Sequence, residues 1–333
     1  MTRPTAEVAA SGAAGRPGAR RAVAVLVLVA VAALVPLLGP SAALRGTGEA
    51  AAPGVGGVAL LRGVLFAALC VPAGELFVDR LVRRVPNAPP ERPPSWTVFA
   101  AAAGFVAALG LASLVSTGNL VPRSLADMDV GGLYRSREGK LALIEVNALL
   151  LAGLCARSRR PAAQVWPLAA VTVAEALRAH PAPEHGPLLG SALTLVHLVC
   201  ATLWVGGLLH ALRMLRRWRG REAGAALLGL YARVAAVLLA AITATGAWSS
   251  LRRMPAGTVL DQLTTTAYGR TLLAKVILVA AVAVLALWAR YRLRRAADPL
   301  TAYVPARAEV AVLGVVVAVS GVLTALPLPI RWT

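Results

Sequence analysis

Long apolar runs, separated by short polar breaks, set the pattern of this chain. The first covers residues 22–44 and is interrupted by Pro36 and Pro40. Eight more follow at 58–82, 96–117, 139–157, 163–180, 190–214, 224–251, 269–290 and 307–327. Most are close to the roughly 20 residues that an α-helix needs to cross a bilayer. They are continuously apolar, whereas membrane strands would show alternating segments of about 10 residues, so helices rather than a barrel are expected. The breaks carry turn chemistry: PNAPPERPP at 86–94, SRRP at 158–161 and PAPEHGP at 181–187. The pattern predicts an all-α, polytopic transmembrane helical bundle of about nine spans.

Composition agrees. Hydrophobic residues make up 58% of the 333 positions, above the 45–50% typical of soluble domains, and the mean hydropathy is +0.70. A formal net charge of +19 would suit nucleic acid if it formed one surface stripe. Here the arginines gather at the ends of apolar runs, among them Arg83 and Arg84, Arg157 to Arg160, Arg213 to Arg219, and Arg292 to Arg295. That is the signature of the positive-inside rule, and it excludes nucleic acid as the partner. It places the N-terminus inside, the C-terminus outside, and the 83–94, 158–162 and 215–223 loops in the cytoplasm. Residues 22–44 read as a retained span, with a cleaved signal peptide as the alternative. Cys70, Cys155 and Cys200 lie inside apolar runs without a CxxC pair, so no disulfide framework follows.

Chemistry concentrates in HPAPEHGPLLGSALTLVHLVCATLWVGGLL, residues 180–209. It contains three of the four histidines: His180 and His185 flank the four-residue PAPE loop, and His197 lies about two turns into the next run. Cys200 and Trp204 share its helical face. Clustered imidazoles bind metal ions and a thiol is a soft donor, so His180, His185, His197 and Cys200 form a candidate metal site. Met128 and Met254 are read as ordinary loop packing, with handover of a soft metal ion as the alternative. His210 is read as an interfacial residue beside Arg213, Arg216 and Arg217, outside the site, with an exit position formed with Met214 as the alternative. Glu145, Asn147, Glu175, Arg178, Thr243, Thr245, Trp248, Ser249, Ser250 and Lys275 fall in the same half of their runs, which implies a polar vestibule. A pair between Lys275 and Glu145 or Glu175 is the structural alternative. Gly206 and Gly207 are expected to let helices approach closely, with Trp204 filling the adjacent groove. Tyr268 is expected as an interfacial anchor and Arg270 as a snorkelling cation.

The histidine stretch, TATGAWSS at 243–250 and TAYGRTLLAKVILV at 266–279 together resemble the copper-resistance D family of bacterial membrane proteins, over roughly residues 140–295. The resemblance implies inward movement of copper ions across the cytoplasmic membrane of a bacterium, with a periplasmic or extracellular copper chaperone as a possible donor. It divides the chain into a tail (1–21), N-terminal spans (22–138), a copper-resistance D-like core (139–295) and a final span with a short external tail (296–333). HExxH, GxSxG, GxxxxGK[ST] and GxGxxG are all missing from the sequence, so no enzyme is expected. Two other readings stay open: a membrane factor presenting copper for terminal-oxidase assembly, and a haem-binding membrane redox protein.

Overall fold

In hydrocarbon, each backbone N–H and C=O must find its partner within the protein, so the apolar runs have little choice but to become helices. The computed structural model describes the backbone of residues 17–120, 124, 129–180, 186–218, 222–254, 257–295 and 303–328; side chains are described from residue 26 onward, except 292–306. His185 and Met128 lie outside the described residues. In chain order the helices are α1 (Pro17–Leu44), α2 (Val55–Val82), α3 (Thr97–Thr117), α4 (Val130–Arg135), α5 (Arg137–Arg157), α6 (Val165–Arg178), α7 (Pro187–Arg217), α8 (Glu222–Arg253), α9 (Val259–Thr265), α10 (Ala267–Arg295) and α11 (Tyr303–Ala325). Among the described residues there is no strand. The chain is an all-α, multi-pass membrane bundle.

Eight of these helices are long and apolar enough to cross a membrane alone. The ninth apolar run, 163–180, is the exception. It is divided between a 3-10 turn, Pro161–Gln164, and the 14-residue α6. At 1.5 Å per residue α6 is about 21 Å long, short of a hydrocarbon core of about 30 Å. The turn adds about 8 Å at 2.0 Å per residue. Together they run antiparallel to α5: the turn packs against α5 beyond Arg157, while Arg137 at the start of α5 donates to the carbonyls of Leu177 (2.8 Å) and His180 (3.3 Å). The segment therefore travels the length of its neighbour.

At the centre is α2, which packs against α1, α3, α7 and α11. Small residues make this possible. A Cβ on Gly74 would lie 2.6 Å from the Cα of Gly206 on α7, and one on Gly321 of α11 would lie 2.8 Å from the nitrogen of Gly63. Gly39 of α1 faces Val322 of α11. Three apolar clusters surround this hub. The largest joins Val78, Leu81 and Val82 of α2 to Leu208, Leu212 and Leu215 of α7 and Leu227 and Tyr231 of α8. A second joins α2 to α3, α5 and α6 through Leu65, Leu69, Leu111, Leu149 and Val171. The third holds Leu44, Ala59, Ala267, Val322 and Leu326.

Successive long helices alternate in direction, so the ends of α2, α5, α7 and α10 gather at one end of the bundle. The starts of α2, α5, α7 and α10 gather at the other. The arginine-rich breaks all fall at the first end, and the 180–186 connection falls at the second.

Candidate functional site

The site is built where α6 ends and α7 begins. The last carbonyls of a helix have no partner within it and carry the negative end of the dipole. Here arginines supply the partners. Arg137 binds the carbonyls of Leu177 and His180, Arg253 that of Ala179 (3.4 Å), and Arg252 that of Gly186 (3.1 Å). Gly186 adopts φ 66°, a left-handed conformation suited to glycine, and Pro187 occupies the first turn of α7. The end of α6 is thus held from α5 and α8, and Gly186 at the start of α7 from α8.

His180 is buried, with 2% exposure. Its Nε2 lies 2.9 Å from Thr194 Oγ1 on α7. Its ring rests on Gly190, where an added Cβ would come within 2.7 Å of Cε1 and 2.8 Å of Cγ. Gly190, Thr194 and His197 stand at i, i+4 and i+7 and so form one stripe of α7. His197 is about 4.5 Å deeper than Thr194 along the axis, and its Nδ1 lies 3.1 Å from Thr245 Oγ1 on α8. Thr245 donates its hydroxyl to the carbonyl of Ala241 (2.7 Å), so the lone pairs of its oxygen are turned to accept from the imidazole. Each histidine is oriented by a threonine hydroxyl on a neighbouring segment. The resulting stripe descends from the connection into the bundle.

Two of the four sequence-predicted ligands therefore lie along one polar stripe rather than around one point. His185 lies outside the described residues. Cys200, one turn below His197, is a free thiol that packs against the largest apolar cluster. Among the described residues, no three His, Cys, Asp or Glu side chains converge as a metal cage. Sequence reading paired His197 with Cys200 and Trp204 and overlooked Thr194 and Gly190. The signal was present in the i, i+4, i+7 spacing, but glycine and threonine in an apolar run read as ordinary packing residues.

The expected vestibule divides into two separate groups. Glu145, Glu175 and Arg178 belong to an ion cluster between α2, α5 and α6. Arg62 binds Glu175 at 2.5 Å, while one Arg178 nitrogen, Nη1, meets Glu145 at 2.9 Å and Glu175 at 3.3 Å. Lys275 is not the partner of either acid: α10 packs against α1, α9 and α11, away from α5 and α6. Arg178 also lies 3.8 Å from Glu138 of α5, so acids and arginines of α2, α5 and α6 meet in one cluster, which suits a brace between helices. Asn147 and Thr243 face outward, and Trp248 is 59% exposed. Of the 243–250 polar run, Thr245 alone is buried.

Met254 is fully buried, as the packing reading expects. Three further expectations change. His210 is also buried, with Nδ1 4.0 Å from Glu75 Oε1, rather than at an interface. Tyr268 is buried and accepts a hydrogen bond from Arg253 (3.1 Å), so it is no interfacial anchor. Arg270 donates to the carbonyls of Thr264 and Arg45, both at 2.7 Å, tying the start of α10 to the end of α1. By contrast, Gly206 and Gly207 act as expected: Gly206 faces Cys70 and Gly74 of α2, and Gly207 faces Tyr231 and Phe77.

At the opposite end, the Glu75 carboxylate accepts from Ser95 Oγ (2.5 Å), the backbone N–H of Trp96 (2.8 Å), Thr97 Oγ1 (2.9 Å) and Arg213 Nη1 (2.9 Å). A side chain of α2 thereby caps the start of α3, satisfying an amide left open by the helix. Arg213 also binds the Pro94 carbonyl and lies over the Trp96 ring, 3.8 Å from its centroid. This knot fixes the 83–96 connection.

No curated protein and no solved structure matches the chain. A family model does match, and it starts and ends later than the resemblance read in the sequence. TATGAWSS and TAYGRTLLAKVILV fall within it; the histidine stretch lies upstream. This match, to copper resistance protein D over residues 225–323, makes the stretch from α8 to α11 of this multi-pass membrane protein similar to that family.

Proposed function

We propose that the chain carries copper ions inward across the cytoplasmic membrane of a bacterium, using the polar stripe of α7 as the entry site. The observation that supports this reading is a juxtaposition: His197, aligned with His180 through Thr194, reaches Thr245 on α8, the first helix of the matched region. The orientation follows from charge. With the arginine-rich end in the cytoplasm, the 180–186 connection faces outward.

In this reading His180 and His185 collect the ion, and His197 receives it deeper in the bundle. Threonine hydroxyls hold the rings, so the imidazoles meet the ion with little reorganisation. Nδ1 of His197 faces Thr245, which leaves Nε2 for the metal. Cys200, one turn further down, offers a soft donor for Cu(I). The protein works by binding and release, without covalent chemistry. The Arg62, Glu175, Arg178 and Glu145 cluster holds α2, α5 and α6 in register beside the path and takes no part in it.

Copper accumulation in cells expressing the parent, His180→Ala or His197→Ala protein, together with the copper content of each purified protein, tests the proposal. The parent should raise cellular copper, and either substitution should return it to the level of cells lacking the protein, at equal membrane abundance. A His197→Ala protein that binds and moves copper like the parent would overturn the site. Unchanged cellular copper accompanied by increased terminal-oxidase activity would replace transport with the assembly-factor reading.

A further inference from the structure

At the arginine-rich end, a groove of about 500 Å³ opens between the end of α2, the first half of α8 and the end of α10. Its lining combines small and apolar residues, Ala226, Gly229 and Leu230 among them, with three arginines: Arg84, Arg233 and Arg290. The groove exists because α8 and α10 have no extended interface here; α8 packs mainly on α7, and α10 on α11. Among the described residues, no carboxylate pairs with any of the three arginines, unlike Arg62, Arg178 and Arg213, each of which has an acid.

Depth identifies the missing anion. α8 has 32 residues and is about 48 Å long, so it exceeds a hydrocarbon core of about 30 Å by about 18 Å. Shared between both ends, that excess places the first turns of α8 outside the core. Arg233, eleven residues or about 16 Å after Glu222, then has its backbone about 7 Å inside the core boundary, from where a long arginine side chain snorkels to the headgroups. Arg84 follows the end of α2, and Arg290 lies in the last turns of α10. Three guanidinium groups within reach of the headgroups, with no carboxylate partner among the described residues and beside an apolar lining, complement one molecule: a phosphate on top of a hydrocarbon chain. Basic pockets between spans, on the side of the membrane where anionic lipid collects, fit this chemistry.

We propose that this groove is a binding site for an anionic phospholipid, whose phosphate is held by Arg84, Arg233 and Arg290 while its acyl chain lies between α8 and α10. The lipid completes the packing of α8 against α10 that the protein itself leaves open.

The test uses the full chain purified in detergent, with its melting temperature measured on adding phosphatidylglycerol, phosphatidylcholine or inorganic phosphate. Phosphatidylglycerol should raise the melting temperature by several degrees, and the other two should not. The triple variant Arg84→Gln, Arg233→Gln, Arg290→Gln should lose that increment. The triple variant Arg157→Gln, Arg159→Gln, Arg160→Gln, which removes equal charge from another exposed cluster at the same end, should keep it. If the first variant does not fold, the lipid retained by Arg290→Gln protein, read by native mass spectrometry, replaces it and should fall relative to the parent. An equal response to phosphatidylcholine, full reproduction by phosphate, or an increment or retained lipid unchanged by loss of these arginines would each overturn the proposal.

Discussion

Gly206→Ala offers a sharp test of the helix crossing on which the bundle depends. The added Cβ would lie 2.6 Å from the carbonyl carbon of Cys70, and nearer still to its oxygen, whereas ordinary contact begins at 3.4 Å. Relieving the carbon alone requires α2 and α7 to part by 3.4 − 2.6 = 0.8 Å, and the oxygen requires more. The obstacle is backbone, which cannot rotate away as a side chain can. Overpacking of this kind costs about 1–3 kcal/mol. The parting also reaches Arg213, seven residues or about 10 Å further along α7, where its 2.9 Å bond to Glu75 links the same two helices. Breaking that buried pair would add a loss on the order of 3 kcal/mol. Gly314→Ala is the control, since a Cβ there meets nothing within 4 Å and the change removes a helix-destabilising glycine worth up to about 1 kcal/mol. Thermal melting of the two purified proteins in one detergent should place Gly206→Ala well below the parent and Gly314→Ala at or above it. Melting within a degree of each other would refute the close crossing of α2 and α7.

Two further perturbations follow from the buried charges. Arg178→Met leaves Glu145 buried without its guanidinium and should cost about 3–5 kcal/mol; adding Glu145→Gln should restore part of that loss, and Lys275→Met should be mild by comparison, all measured by melting temperature. Glu75→Gln weakens the cap on α3 and the bond to Arg213, so cleavage within 83–94 by a protease added to purified protein should accelerate several-fold over the parent.

The helices were legible because a bilayer leaves so few alternatives: a continuous apolar run must satisfy its own backbone, and each of the nine runs does so. Turn residues and arginine clusters marked the breaks, and the structure gathers those clusters at one end. The length of an apolar run was a poorer guide to helix length. Residues 163–180 contain a 3-10 turn at one limit and end in carbonyls bound by Arg137, Arg178 being the last helical residue. Pairings were the least legible. Glu145 finds Arg178, 33 positions away, and Glu175 finds Arg62, 113 positions away; nothing in a linear sequence favours these partners over Lys275. His180, His185 and His197 were conspicuous as a group, yet the hydroxyls that orient two of them lie in otherwise apolar helices.

That arrangement also explains why the site cannot be assigned to the matched region alone. Residues 225–323 contain Thr245 but neither His180 nor His197, which approach it from α7 and from the connection before it. The two parts are held in place across helices: Tyr231 of α8 donates to the Trp204 carbonyl of α7 at 2.6 Å, and Arg252 and Arg253 of α8 bind the carbonyls flanking the 180–186 connection. Further support comes from α2, which contacts α7 through Gly74 and Gly206 and α11 through Gly63 and Gly321. A helix outside the matched region thus positions its last helix and the histidine-bearing helix together. The hydroxyl at 245 has an imidazole to orient only because upstream helices bring His197 to within 3.1 Å of it.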